Sequence, residues 1–283
     1  MFIKKILIPT FLFCFYSLGA QTNDTTFRKE WIDIDSTIIK KNLPKSALQK
    51  VNALYNKAKQ QQLQVQIIKC LVYRMSLEDK VLDNKPNNAI ALLQNEIANT
   101  KNDAVKSILY CLLANRYKQY FNNNRWRFYN RSTTVNFVKA DIETWSADNF
   151  HEAIADNFLK SIKGAELLQK ITVEKFDAII IKGNARNLRP TLFDILVHEA
   201  LDYFKSGEYY ITKPTYAFEL NDVKTLAPAN EFINQVFYTK DSLSHQWISL
   251  QLYKQLLCFH TSKTNKNAFV DADIERIQWV NTH

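Results

Sequence analysis

Apolar residues recur along this chain at intervals of three and four, the spacing that gathers them on one side of a helix. A first element is predicted from about Trp31 to Lys41. Pro44 then opens a clear helix whose stripe is Ala47, Leu48, Val51, Leu54, Tyr55 and Ala58. Proline suits a first turn, where its missing N–H would have no intrahelical acceptor. A glutamine-rich turn at 60–62 leads to a second stripe, Ile67, Ile68, Leu71, Val72 and Met75. A polar turn at 83–88, containing Pro86, leads to a third, Ile90, Leu93 and Ile97. Asn102 or Asp103 can cap a fourth, long helix carrying Val105, Ile108, Leu109, Leu112, Leu113, Tyr117, Tyr120 and Phe121. Turns this short join antiparallel neighbours. Residues 44–121 therefore read as two successive helical hairpins, a loose array with the character of tetratricopeptide or HEAT solenoids, although the tetratricopeptide consensus is not visible.

The pattern breaks at residues 122–131 (NNNRWRFYNR). Beyond it, Ser146 or Asn149 can cap a helix running to about Leu168, and residues 173–181 form a shorter apolar run ended by Gly183 and Asn184. Thr191 with Asp194 makes a capping-box-like start for a strong helix to Phe204. Residues 209–220 are aromatic-rich, contain Pro214 and have extended character. Helices are predicted again over 241–260 and 268–280. The expected fold is all-α, with one helical-hairpin domain over residues 30–283. The chain stops at His283 without a basic cap, a glycine or a polar tail, which predicts that it is a portion of something longer.

Composition agrees. Glycine occurs only four times in 283 residues, too few for the turns and bulges of a sandwich or for a Gly-rich nucleotide fold. Hydrophobic residues make up 46% and charged residues 23%, enough to bury a core and too apolar for disorder. The N-terminus changes the picture of where the chain acts. Lys4 and Lys5 precede an apolar stretch at 6–18, and Gly19-Ala20 supplies small residues before Gln21. Residues 1–20 thus read as a secretory signal and 21–29 as a polar leader; the apolar stretch is too short for a comfortable membrane span. Phe13 stands where lipid attachment at Cys14 would want a small residue. The expectation is export to the periplasm or cell envelope, or secretion, with no membrane span after cleavage. The formal net charge is +9, spread over helical polar faces, so it reads as a solvated basic surface and no nucleic-acid partner is expected. Cys70, Cys111 and Cys258 are far apart, odd in number and set among apolar residues, so buried free thiols are expected, with one bridge left open.

No catalytic constellation emerges, and the chain is not expected to be an enzyme. GxSxG, P-loop and dinucleotide fingerprints are absent. His198-Glu199 occurs as HEALD, but Asp202 stands where a zinc peptidase motif needs its second imidazole, and spacing offers no third ligand. His198 and Glu199 therefore read as surface polar residues on an amphipathic helix, and His151-Glu152, in a first helical turn, as solvated. No metal ligand set and no cofactor are expected. The candidate interaction residues are Arg125, Trp126, Arg127 and Arg131, since arginines interleaved with aromatics can anchor an interface or stack on a ligand. The competing reading is a structural knot, in which the aromatics fill the groove after a helix while the guanidiniums bond carbonyls and stack on rings.

Four stretches carry a resemblance: WIDIDSTIIKKNLPKSALQKVNALYNKAK from Trp31, YFNNNRWRFYNRST from Tyr120, DIETWSADNF from Asp141 and RPTLFDILVHEALDYF from Arg189. Together they resemble the helical region that follows the signal peptide in large alpha-2-macroglobulin-like proteins of Bacteroidota. The resemblance implies a leading helical module of a protease trap. The trap's Cys-x-Glu-Gln thioester motif is missing, because none of the three later cysteines has Glu-Gln two and three residues on. The bait segment and β-sandwiches of such proteins have no counterpart here either. What it implies is a non-catalytic scaffold with a protein partner in an envelope protease-inhibitor system. The alternative is a stand-alone exported helical-repeat protein that binds a peptide or cell-wall component.

Overall fold

A computed structural model describes residues 27–81, 86–128, 138, 141–206 and 215–283. The predicted signal at residues 1–20, residues 21–26 of the predicted leader, Arg131 and residues 209–214 of the predicted extended segment lie outside the described residues. Twelve α-helical segments occur among them: α1 (Arg28–Ile39), α2 (Pro44–Gln60), α3 (Gln64–Val81), α4 (Pro86–Asn99), α5 (Asp103–Asn123), α6 (Arg125–Phe128), α7 (Ala147–Ile162), α8 (Ala165–Leu168), α9 (Leu192–Phe204), α10 (Ala229–Phe232), α11 (His245–Thr261) and α12 (Asn267–Asn281). Short 3₁₀ turns join several of them, and an isolated bridge between Thr172 and Thr191 is the only β pairing among the described residues. The protein is all-α. No described helix is long and apolar enough to cross a membrane.

The helix starts follow from local chemistry. Asn102 caps α5 by accepting from the Val105 N–H at 3.1 Å. Ser146 with Asn149 closes a capping box on α7, and Thr191 with Asp194 closes another on α9. Ser244 caps α11, a few residues later than the sequence pattern suggested. Two turns take left-handed backbone without glycine, at Asn42 (φ 50°) and Gln62 (φ 55°). At Gln62 the hydrogen bonds are those of a Schellman ending: Leu63 N–H to Ala58 O at 3.0 Å, and Gln62 N–H to Lys59 O at 3.1 Å. The end of α12 is capped as well, with Thr282 Oγ1 donating to Trp279 O at 2.8 Å and His283 Nδ1 lying 3.0 Å from the same oxygen.

Packing runs from neighbour to neighbour: α1 on α2, α2 on α3, α4 on α5, α5 on α7, α7 on α9, α9 on α11, and α11 on α12. A small core between α1, α2 and α3 gathers Trp31, Ile34, Val51, Leu54 and Leu77, while a large one extends from Ala58 in α2 to Val280 in α12. Helices α5 and α9 are covered on nearly every side. That overturns the expectation of a solvated polar face on the HEALD helix: His198 and Glu199 are both buried. Glu199 accepts from Asn115 Nδ2 on α5 at 3.2 Å. Cys70 and Cys111 are buried free thiols, whereas Cys258 is exposed, because it lies on the side of α11 turned away from α9 and α12.

Candidate functional site

Helix α6 is a single turn at the end of α5, and its four residues divide sharply. Phe128 is fully buried, 4.7 Å centroid to centroid from Phe150 and close to Tyr120 and Phe121. Trp145 joins the group, 5.0 Å from Phe150 and 5.2 Å from Tyr117. These rings form the aromatic knot of the structural reading. Trp126 points the other way and is 76% exposed. Arg125 and Arg127 are half-buried beside it; the Arg127 guanidinium lies 5.9 Å from the Phe128 ring and also bonds to the Tyr120 hydroxyl. The turn therefore brings Arg125, Trp126 and Arg127 together on an anchored corner.

His151 follows on α7. It is not solvated as the sequence suggested: its Nδ1 lies 2.9 Å from the Tyr203 hydroxyl, which itself donates to the His151 carbonyl at 3.2 Å. Burial lowers the His151 pKa. Glu152, its neighbour, is exposed as expected.

A second polar constellation lies between α9, α11 and α12. His198 Nδ1 lies 2.8 Å from the Asp194 carbonyl one turn earlier, so this nitrogen carries the proton and Nε2 presents a lone pair. Asp271 and Glu275, one turn apart on α12, approach from the other side. Arg189 straddles them, donating from Nη1 to Asp271 and from Nη2 to Glu275 Oε1 at 2.8 Å. Glu275 Oε2 stands 3.7 Å from His198 Nε2, and neither atom has a hydrogen-bond partner in the protein. Burial, reinforced by Arg189, holds the His198 pKa well below the ordinary imidazole value, and burial raises that of Glu275 against the pull of Arg189. A neutral imidazole cannot pair ionically, so the 3.7 Å approach of His198 to Glu275 is no ion pair. Asp202, the residue at the zinc-motif position, is raised by burial too and lies 3.9 Å from Lys205 Nζ. The structure thus pairs His198 with two carboxylates remote in sequence instead of with Asp202. The signal for its burial was present: nine of the thirteen residues of α9 are apolar and occupy more than one side. Nothing local pointed to Asp271 or Glu275.

Two shallow surface depressions lie away from this cluster. One is lined by Glu30, Asp33, Lys50 and Lys57, the other by Pro190, Thr191, His260 and Lys263. No family model, curated protein or solved structure matches the chain.

Proposed function

We propose that the chain is a non-catalytic helical scaffold that docks an acidic protein segment through the α6 corner, as part of a macroglobulin-like protease-inhibitor system of the cell envelope. The observation that carries the docking reading is Trp126, 76% exposed on a turn whose opposite side is anchored by the fully buried Phe128. A tryptophan held on a rigid support, with guanidiniums beside it, is the composition found at interface hot spots. Arg125 and Arg127, and the +9 balance of the chain, favour an acidic partner. The pairing of α2 with α3 and of α4 with α5 supports the hairpin-array reading. Export rests on the signal pattern at residues 1–20.

A photoreactive phenylalanine placed at position 126, in cells that make the protein, tests the docking reading. The expected result is a discrete protein adduct that a probe at Tyr238, a still more exposed ring elsewhere, does not form. No adduct at 126, or the same adducts from both positions, sinks it. Trp126→Ala is expected to change stability by less than about 0.5 kcal/mol, as exposed positions do; global unfolding of that variant would make the corner purely structural. The link to a protease trap has a separate test. If neither the reading frame containing this chain nor its neighbours encodes macroglobulin domains, that link is wrong and the scaffold alone stands.

A further inference from the structure

We propose that His198, Asp271 and Glu275 bind one divalent transition-metal cation of the zinc class, which clamps α12 onto α9. This goes beyond the docking reading and does not depend on it. One ligand atom from each residue lies within 4.8 Å of the other two, close enough for small side-chain adjustments to bring all three to one ion. His198 is only 6% exposed, and its Nε2 lone pair faces Glu275 without a donor. The opposing Glu275 Oε2 is likewise buried without a donor. Two acceptors facing each other in a protein interior require something electropositive between them, since each unmet acceptor costs free energy.

The geometry fits a metal. A cation about 2.1 Å from each atom would see the 3.7 Å pair at an angle of roughly 120–130°, close to a tetrahedral or trigonal arrangement. The surroundings have the form of a second coordination shell. The Asp194 carbonyl takes the His198 Nδ1 proton, which selects Nε2 as the ligand. Arg189 grips an oxygen of Asp271 and Glu275 Oε1, and so holds both carboxylates in place while leaving Glu275 Oε2 turned inward. An imidazole with two carboxylates suits zinc and its neighbours in the first transition row; calcium and magnesium would want more oxygen ligands. The nearest competing cation, Lys205 Nζ, stops 3.9 Å from Glu275 Oε2, beyond hydrogen-bonding distance. The other occupant that fits two facing acceptors is a water molecule, and the experiment separates the two.

Full-length protein is stripped with a chelator, checked for helical content by circular dichroism, and titrated with Zn²⁺ and with Co²⁺. The expected result is one equivalent of tightly held zinc. Cobalt should give visible absorption of low-coordinate intensity, and zinc should raise the melting temperature by roughly 5 °C or more at saturating excess. His198→Gln and Glu275→Gln, which keep side-chain volume, should each weaken zinc binding at least ~100-fold and abolish the thermal shift, and Arg189→Lys should weaken it roughly 10–100-fold. A folded wild-type protein that takes up no stoichiometric zinc overturns the proposal and leaves water as the bridge. An equivalent of zinc retained undiminished by both variants overturns it equally, since the metal then sits elsewhere. If both glutamine variants fail to fold, Asp271→Asn, at a half-buried position, supplies the comparison: unchanged zinc affinity there counts against the site.

Discussion

Asp194 does two jobs with one carboxylate. Oδ2 accepts from the backbone N–H of Thr191 at 2.9 Å and from its hydroxyl at 2.7 Å, completing the cap of α9. Oδ1 accepts from His260 Nε2 on α11 at 2.6 Å. Both partners are buried, so removal costs more than a surface cap would. Asp194→Ala loses a capping interaction of about 0.5–2 kcal/mol and leaves a buried imidazole donor unmet at about 1–3 kcal/mol. A destabilisation of about 3 kcal/mol is expected in urea unfolding. Asp194→Asn should cost less, about 1–2 kcal/mol, because an amide oxygen can keep the cap, as Asn149 does on α7, while its NH2 replaces the acceptor that faced His260. Equal losses in the two variants would show that the acceptor facing His260, not the cap, is what Asp194 contributes. The cap was legible in the sequence, since Thr191 and Asp194 are three residues apart. The His260 bond was not, because no local rule connects positions 194 and 260.

At the scale of the element, the scarcity of glycine has a structural consequence. The Schellman ending of α2 places Gln62 at φ 55°, where a Cβ crowds the backbone and glycine would not. Gln62→Gly is therefore expected to stabilise the protein by about 0.5–1 kcal/mol, the relief of strain outweighing the extra freedom of the unfolded chain. A loss of stability would mean that the Gln62 side chain makes contacts worth more than the strain. Element boundaries were read well wherever a cap or proline marked them, as at Pro44, Ser146 and Thr191. They were read less well where a helix is wrapped by others. The stripe assigned to α9 assumed one wet face, yet α5, α7, α8 and α11 all reach it. The reverse error befell Cys258, whose apolar sequence neighbours suggested burial although its own side of α11 is open.

Over the whole molecule, long-range polar contacts tie α12 back to the irregular segment before α10. Arg276 of α12 is completely buried; its guanidinium donates to the carbonyls of Thr225 and Ala227, bonds Asp273, and stacks 4.2 Å from the Phe232 ring. It pins the irregular segment before α10 beneath the last helix. Stability should also depend on pH through a buried histidine. His245 packs against Tyr203 and Phe204, and burial lowers its pKa from 6.5 to about 3, with a smaller push from His151. The unfolded chain therefore binds a proton that the folded one refuses between about pH 6.5 and 3. This group's contribution is fully present above pH 6.5 and is lost as pH falls towards 3, at about 1.4 kcal/mol per pH unit. Half-buried Asp35, whose pKa is raised by its desolvation, gives an opposing trend around and above its ordinary carboxyl range. Comparing urea unfolding of the wild type and His245→Gln at pH 5 and 6 isolates the histidine. The wild type should lose about one proton's slope more than the variant, and parallel slopes would exclude it.

The sequence by itself determined the helices, most of their ends and the all-α class, because periodicity and caps act between residues three or four apart. It also isolated the corner with Arg125, Trp126 and Arg127, though not which ring would face outward. Only the tertiary structure decided that Phe128 turns in and Trp126 out, that α9 has no wet side, and that His198 meets Asp271 and Glu275. Those outcomes depend on which helices come to lie against one another. Packing sums many weak apolar contacts over the whole chain, and no window of neighbouring residues contains that sum.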